Sequence, residues 1–237
     1  MYYKIMAVIA EPLGWLLTFL YDFIQNYGIT LIVFTLIVRL CLYPLYAKQI
    51  KSTANMSAIQ PKMKELQARY ANDKEMLNMK MMELYKEEKF NPMGGCLPML
   101  IQMPIIFGLF ALLRNPLLYI DDPSMIIAVH ESFLWIADLA QPDKWILPIA
   151  AGLTTFVSFQ QTQSQQTPES MGQMAPMMKV MKYFFPVMIV WMGRTFPAGL
   201  TLYWFIGTGA QILFNLRLNK LRRRMKAEAE LRQQKKI

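Results

Sequence analysis

Long apolar runs with few charges constrain this chain more than any other feature, because a helix needs roughly 20 mostly apolar residues to cross a hydrocarbon layer about 30 Å thick. The first run, residues 29–47, carries one charge, Arg39, and residues 94–113 and 196–215 carry none. Charged residues make up only 17% of the 237 positions, whereas a soluble domain carries about 25%. The sequence therefore predicts an all-α polytopic membrane protein.

Two shorter runs complete the predicted set of transmembrane helices. Residues 145–161 are uncharged and become polar at their end. Residues 180–193 hold Lys182, whose long side chain can reach the interface from within a span. We therefore expect five transmembrane helices.

The charges between these runs predict the orientation through the positive-inside rule. Residues 48–93 hold nine Lys/Arg and six Asp/Glu, whereas residues 114–144 hold two Lys/Arg and five Asp/Glu. Residues 161–182 contain two lysines and one acid, and residues 217–237 contain nine basic and two acidic residues. This alternation, which requires an odd number of crossings, predicts that the N-terminus and the loop 114–144 are external. The predicted cytoplasmic parts are 48–93, 162–179 and 216–237.

Residues 1–28 form a predicted external segment with an amphipathic helix. Apolar side chains recur at helical spacing from Leu13 to Ile24, with polar residues such as Asp22 on another face. This pattern fits an interfacial helix along the bilayer surface, and it fits packing against the other helices equally well. Glu11 and Pro12 interrupt the first apolar stretch, so we do not predict a removed signal peptide.

The basic segment 48–93 has the periodicity of a helical hairpin. Asn72 followed by Glu75 predicts a capping box at the start of the second helix. The hairpin is rich in methionine, which suits either an adaptable apolar surface or packing of the two helices against each other.

Arg39 is the residue that most strongly indicates function. A guanidinium in the middle of a span costs about 2.5 to 3.5 kcal/mol on translocon scales, and it cannot lose its proton. No Asp or Glu occurs inside any predicted span, which favours a hydrated cavity over a closed salt bridge. Bonding of Arg39 to backbone carbonyls of broken helices is the alternative.

Uncharged polar residues in the other spans could line the same cavity. Hydrogen bonds between helices are the commoner role of such side chains in membranes. The close pair Gly207 and Gly209 indicates tight helix packing. The other candidates are Gln102, Thr154, Thr155, Ser158, Gln160, Thr201, Thr208 and Gln211.

Two other classes of function receive little support. An intramembrane enzyme would need a nucleophile with a base or a set of metal ligands, but the chain contains one histidine, His130, and neither G-x-S-x-G nor H-E-x-x-H. The two cysteines, Cys41 and Cys96, have no metal-ligand spacing. A transporter with Arg39 as an anion site would fit an inverted repeat, which is not visible. We therefore predict neither an enzyme nor a cofactor.

Four segments, in order along the chain, resemble the YidC/Oxa/Alb family of membrane protein insertases. They are YGITLIVFTLIVRLCLYPLYAKQIKS, MSAIQPKMKELQARY, LYKEEKFNPMGGCLPMLIQMPIIFGLF and FPAGLTLYWFIGTGAQILFN. The likeness extends from about Tyr27 to Asn215. It implies a five-span core with a groove that is open to the cytoplasm and lipid and closed externally.

The resemblance also implies roles for particular residues. The groove arginine holds the hydrophilic part of a substrate transiently, the hairpin recruits substrates, and the aromatic pair of the last span flanks them. Only 28 residues precede Ile29 and no lipobox cysteine is near, so the chain is similar to the short Gram-positive-like form. The residues matched to the groove are Arg39, Thr35, Pro98, Leu100, Gln102, Gln160, Tyr203 and Trp204.

The same resemblance implies insertion in a bacterial cell membrane without nucleotide hydrolysis, and no G-x-x-x-x-G-K-[ST] motif occurs. The expected partners are nascent membrane proteins with short polar external tails and the Sec translocon. The basic tail, with the run 221–225, predicts binding to anionic lipids and contact with the ribosome.

Overall fold

The computed structural model describes residues 2–88, 97–115, 118–120, 122–163 and 175–234. Within these ranges the side chains of 2–6, 46–58, 60, 97–102, 175–176, 178 and 218–234 lie outside the description. The predictions on the side chains of Pro98, Leu100 and Gln102, on most of the loop 162–179 and on the basic side chains of the tail beyond Arg217 therefore fall outside the described residues.

The described residues form eight helices. Their only other regular pairing is an isolated bridge between Phe133 and Ile136, so the predicted all-α class is confirmed for this part of the chain. The helices are α1 (Tyr2–Ile24), α2 (Tyr27–Arg69), α3 (Lys74–Glu87), α4 (Leu97–Arg114), α5 (Pro123–Ala128), α6 (Ile146–Gln163), α7 (Ala175–Gly193) and α8 (Ala198–Gln234).

Two helical stretches among the described residues have the length and hydropathy of a membrane span, Ala7–Ile24 in α1 and Tyr27–Leu45 in α2. A shorter apolar stretch, Met103–Arg114, lies in α4. The second stretch overlaps the predicted first span, whereas the first belongs to the helix expected at the bilayer surface. The count of five spans remains a prediction.

Helix α1 packs against the other helices, the second of the two alternatives for its apolar face. Leu17 is fully buried, and Leu13, Leu16 and Leu20 pack against the same core. The opposite face exposes Trp15, Phe19 and Phe23, whose rings contact each other along the helix. Because α1 is apolar on both sides, its periodicity did not identify which side meets protein.

The main core lies where α1, α2, α4 and α8 meet the segment 118–145, and we call this end of the molecule the loop end. Its largest fully buried side chains include Tyr27, Phe34, Leu109 and Tyr203. Helices α2 and α8 both begin at the loop end. Successive side chains along the two helices therefore lie at increasing distance from that end.

At the opposite end, α2 and α3 form a hairpin around a small cluster of Ile59, Met63 and Leu84. Met63 is therefore buried by packing of the two helices against each other, whereas Met79 and Met82 are exposed. Helix α2 runs from Tyr27 to Arg69 without interruption at its two prolines.

The predicted capping box of Asn72 and Glu75 is wrong by one position. Asp73 is the N-cap of α3, and its carboxylate accepts a hydrogen bond of 2.9 Å from the backbone N–H of Met76. Asp73 has the extended backbone that a cap requires, whereas Asn72 belongs to the preceding turn.

The surface of the hairpin carries exposed ion pairs. Lys62 donates a hydrogen bond to Glu88, which raises the pKa of the lysine. Lys80 donates to Glu83 over 2.7 Å, which lowers the pKa of that carboxyl. Pairs this exposed contribute little to stability, so the apolar cluster holds the hairpin together.

Candidate functional site

The guanidinium of Arg39 lies between α2 and α8, directly against Gly207. Arg39 is only 7% exposed, although it is the one charge of the apolar stretch Tyr27–Leu45. A Cβ atom on Gly207 would lie 2.6 Å from one terminal nitrogen of the guanidinium and 2.9 Å from Nε. The guanidinium therefore occupies the space that any side chain at position 207 would fill.

Arg39 lies about 18 Å along α2 from its first residue, Tyr27, at 1.5 Å per residue. That distance is more than half of a hydrocarbon layer about 30 Å thick. Thr35, one turn nearer the loop end, is fully buried and donates a 2.6 Å hydrogen bond to the carbonyl of Leu31. We call Arg39, Thr35 and Gly207 the arginine seat.

On α8 the aromatic pair has two different environments. Tyr203, one turn before Gly207, is 1% exposed and belongs to the main core. Trp204 donates a 3.0 Å hydrogen bond from its indole nitrogen to the hydroxyl of Thr155 on α6. Thr155 in turn donates to the carbonyl of Ala151 over 2.7 Å. The hydrogen-bonding group of Trp204 is thus directed to α6.

A pair of hydroxyls also joins these two helices, one turn further along α8. The Oγ1 atoms of Thr154 and Thr208 are 2.8 Å apart. Thr208 also donates to the carbonyl of Trp204 over 2.9 Å. Thr154, Thr155 and Thr208 therefore form hydrogen bonds between helices, which is the commoner role of such side chains in membranes.

Polar groups continue along α8 from the arginine seat toward the hairpin. Gln211 and Asn215 follow Gly207 at intervals of four residues, which places them on one face of the helix. Gln211 Nε2 donates to Asn215 Oδ1 over 3.1 Å. Gln211 Oε1 is buried and accepts no hydrogen bond from the described residues. This face thus holds a buried acceptor one turn from Gly207.

An aromatic contact closes one side of this polar face. Tyr43, one turn after Arg39 on α2, meets Phe214 of α8 edge-on with ring centroids 5.3 Å apart.

The remaining predicted residues lie apart or outside the described side chains. Gln160 is exposed near the end of α6, and its neighbour Gln161 is half-buried. Pro98, Leu100 and Gln102 belong to the first two turns of α4 by their backbone. The structure therefore brings together Arg39 and Thr35 with Tyr203 one turn away, and the groove roles of all eight residues remain predictions.

Gly207 is the residue whose role the sequence did not identify. The pair Gly207 and Gly209 predicts close helix packing, and the neighbour that approaches Gly207 is the arginine itself. A Cβ on Gly209 would meet nothing within 4 Å. Only the position of Gly207 opposite Arg39, 168 residues away in sequence, distinguishes the two glycines.

A stretch of span length in α2 carries a buried arginine that lies against α8, an arrangement that fits a helical membrane protein. The sequence model of the family described as 60Kd inner membrane protein matches residues 19–227. The chain belongs to this family, the YidC/Oxa family, and the resemblance found in its motifs is confirmed.

Several bacterial relatives are named membrane protein insertase YidC. The chain is 41% identical to the one from Fusobacterium nucleatum over 201 residues, which cover 84% of this chain and 89% of the relative. It is 40% identical to "Membrane protein insertase YidC 2" of Listeria innocua over 218 residues, 89% of this chain and 70% of the relative. It is 38% identical to the relative from Geobacter sp. strain M21 over 213 residues, 90% of this chain and 37% of that relative. The chain thus spans little more than a third of the Geobacter relative.

Proposed function

We propose that this chain is a membrane protein insertase of the bacterial cell membrane, which inserts membrane proteins and helps them fold without nucleotide hydrolysis. The relatives that are named membrane protein insertase support this proposal most directly. The observation that carries the mechanism is the arginine seat, a guanidinium deep in the apolar part of α2 held against a glycine of α8. The chain acts as a chaperone of insertion, not as an enzyme.

The chemistry follows from the cost of moving polar groups through lipid. A substrate with a short polar external tail must carry that tail across the hydrocarbon layer, where polar and charged groups are strongly disfavoured. A hydrated groove that reaches Arg39 from the cytoplasmic side shortens this path. The guanidinium attracts acidic or polar groups of the tail, and the apolar helices around the groove make this attraction stronger than it would be in bulk water.

The face of α8 that leads to the arginine seat supplies a second polar contact. Gln211 Oε1 is a buried acceptor one turn from Gly207, and a passing N–H group of the substrate can satisfy it. The tail therefore meets Gln211 first and Arg39 next. Thr35, Gln102, Gln160, Pro98, Leu100 and the pair Tyr203 and Trp204 complete the proposed lining of the groove.

Release needs no chemical energy source. When the apolar helix of the substrate reaches lipid, its burial contributes about 25 cal/mol per Å² of apolar surface. That gain exceeds the transient attraction of the tail for Arg39. The substrate leaves laterally, and Arg39 is ready for the next one.

The proposed topology has five transmembrane helices, with the N-terminus outside and the C-terminus in the cytoplasm. The distribution of charge supports it, because the hairpin and the tail are basic and residues 114–144 are acidic. In this orientation the loop end faces outward. The proposed partners are nascent membrane proteins, the Sec translocon, anionic lipids and the ribosome, the last two through the basic tail.

Complementation of a cell depleted of its own insertase tests the role of Arg39. We expect Arg39→Lys to support growth, because it keeps the charge, and Arg39→Ala to fail. The measurement is growth together with the membrane insertion of a single-span reporter with an acidic tail, at matched protein levels. Full rescue by Arg39→Ala would reject the assignment of the site.

A further inference from the structure

We propose that Glu131, on the segment between α5 and α6, is a positioning residue that closes the loop end of the groove: its carboxylate anchors the first turn of α2, while the backbone of the same segment holds the first turn of α8. The residues that make these bonds, Glu131, Leu139 and Gln141, are called the loop clamp below. The functional part of this inference rests on the proposed insertase function. The closure itself is a geometric claim that can be tested separately.

The carboxylate of Glu131 joins α1 to α2. Its Oε2 accepts a 2.7 Å hydrogen bond from the backbone N–H of Tyr27, the first residue of α2. Its Oε1 accepts a hydrogen bond from the hydroxyl of Tyr21 on α1. The first N–H groups of a helix have no partner within the helix, and a negative charge is favoured there by the helix dipole.

The backbone of the same segment binds the first turn of α8. Leu139 donates from its N–H to the carbonyl of Glu131 over 3.1 Å, and its own carbonyl accepts from Gly199 over 2.9 Å. The carbonyl of Gln141 accepts from the N–H of Ala198 over 2.9 Å. One segment of eleven residues, 131–141, thus satisfies the first N–H groups of both helices that form the arginine seat.

Close packing fills the space between these bonds. The ring of Phe133 lies on Gly28, where a Cβ would come within 2.2 Å of it. Leu31 approaches Gly199, where a Cβ would lie 3.2 Å from its Cδ1. Tyr27 is 1% exposed, and Leu31 is fully buried. The loop end is therefore sealed by apolar contacts, and the hydrogen bonds of the loop clamp keep those contacts in register.

The loop clamp also determines the width of the arginine seat. Helices α2 and α8 run in the same direction from the loop end, and Arg39 meets Gly207 several turns further along. If the first turns separate, the packing around Leu31 loosens first and the seat widens after it. A groove that is open at one end needs such closure at the other end, because otherwise water and ions would cross the membrane.

A cysteine placed just inside the clamp reports the closure. Thr30 is fully buried one turn into α2, so Thr30→Cys, in a chain whose own Cys41 and Cys96 are replaced by serine, is the reporter. A membrane-impermeant maleimide is added to intact cells and, in parallel, to inside-out vesicles. Both sides are probed, so the result does not depend on the proposed orientation.

We expect slow labelling with Glu131 intact and labelling from the loop-end side at least about tenfold faster with Glu131→Ala, because hydrogen bonds to a charged group are lost. Labelling from the hairpin side should stay the same. Glu131→Gln keeps one acceptor oxygen and should give an intermediate rate. Asp22→Asn, which neutralises an exposed carboxylate on α1, is the matched control and should have no effect.

Unchanged labelling in Glu131→Ala, or an equal rise in Asp22→Asn, would overturn the proposal. If Glu131→Ala fails to accumulate, Tyr21→Phe carries the test, because it removes one hydroxyl and should raise the rate a few-fold; no rise would again overturn the clamp. Labelling measures closure whether or not the chain inserts proteins. Complementation by the Arg39 variants measures insertion, so failure of one claim is distinguishable from failure of the other.

Discussion

Helix α8 presents two neighbouring faces that differ in how their polar groups are satisfied. Toward α6, Trp204 bonds Thr155 and Thr208 meets Thr154, so the hydrogen bonds run directly between side chains of the two helices. Toward α2, the same helix offers Gly207 to a guanidinium and, one turn on, a buried acceptor of Gln211 that the described residues leave open.

The difference separates a structural contact from a site for ligands. Side chains that are already hydrogen-bonded to each other gain less from a third group than groups left without a partner. An open acceptor gains free energy when a polar partner arrives, and a charge at this depth adds attraction for an acidic or polar group. We therefore expect loss of the threonine hydroxyls between α6 and α8 to alter stability, and changes on the α2 face to alter insertion.

The largest effect should come from Gly207→Ala. The added Cβ would lie 2.6 Å from the end of the Arg39 side chain, and because that end is flexible the guanidinium should move while the helices stay in place. Insertion of a reporter with an acidic tail should fall about tenfold or more, with a change in unfolding temperature of no more than a few degrees. Gly209→Ala, with open space at its Cβ, is the matched control. Equal loss in both variants, or none in either, would contradict the arginine seat.

A smaller effect on insertion is expected from Gln211→Leu. The substitution removes a buried acceptor without a described partner, which costs about 1 to 3 kcal/mol, and it also removes the hydrogen bond from Gln211 Nε2 to Asn215. Because these two effects oppose each other, the free energy of unfolding should change little. Insertion should slow a few-fold, because the tail loses a contact. Thermal unfolding in detergent and the reporter assay measure the two quantities, with Leu213→Ala, an exposed position of the same helix, as control. Loss of stability together with unchanged insertion would place Gln211 among the structural residues.

On the α6 face, Thr155→Val should lower the free energy of unfolding by about 0.6 to 1.7 kcal/mol, the range of hydrogen bonds between membrane helices. A double-mutant cycle with Trp204→Phe isolates the bond between the two side chains. Insertion by Thr155→Val should stay within about twofold of the original. A strong loss of insertion without loss of stability would show that Thr155, too, contacts substrate.

The smallest effect is expected from Thr154→Val. Thr154 donates to its own helix at the carbonyls of Ala150 and Ala151 as well as meeting Thr208. Thr208 likewise donates to its own helix, so its hydroxyl keeps a partner when Thr154 is replaced by valine. We expect a loss of stability smaller than that of Thr155→Val in the same detergent assay. A larger loss would mean that Thr154 contributes more to stability than Thr155.

The sequence predicted those features of the fold and of the candidate site that depend on the pattern within a single helix. The helical class follows from apolar runs, and the depth of Arg39 along α2 follows from its place in the middle of one. Sequence order along α2 likewise puts Thr35 one turn from the arginine. The start of α3 was wrong by one residue, because Asn72 and Asp73 are both good caps and the backbone of the turn decides between them.

What the sequence could not predict depends on contacts between distant positions. Gly207 and Gly209 are the same residue type two positions apart, and only the approach of Arg39 distinguishes them. Glu131 lies 104 positions from Tyr27 and is one of five acids in its segment. Helix α1 is apolar on both sides, so its packing face required the fold.

The central claim is that a positive charge at position 39, reached by water from the hairpin side, drives insertion. Its most direct test is Arg39→Cys, in the chain with Cys41 and Cys96 replaced by serine, treated with a methanethiosulfonate that adds an ammonium group or with a neutral one of similar size. We predict that the cationic reagent reacts in inside-out vesicles and restores insertion, while the neutral reagent reacts and does not. Equal rescue by both reagents, or no reaction with either, would contradict the account.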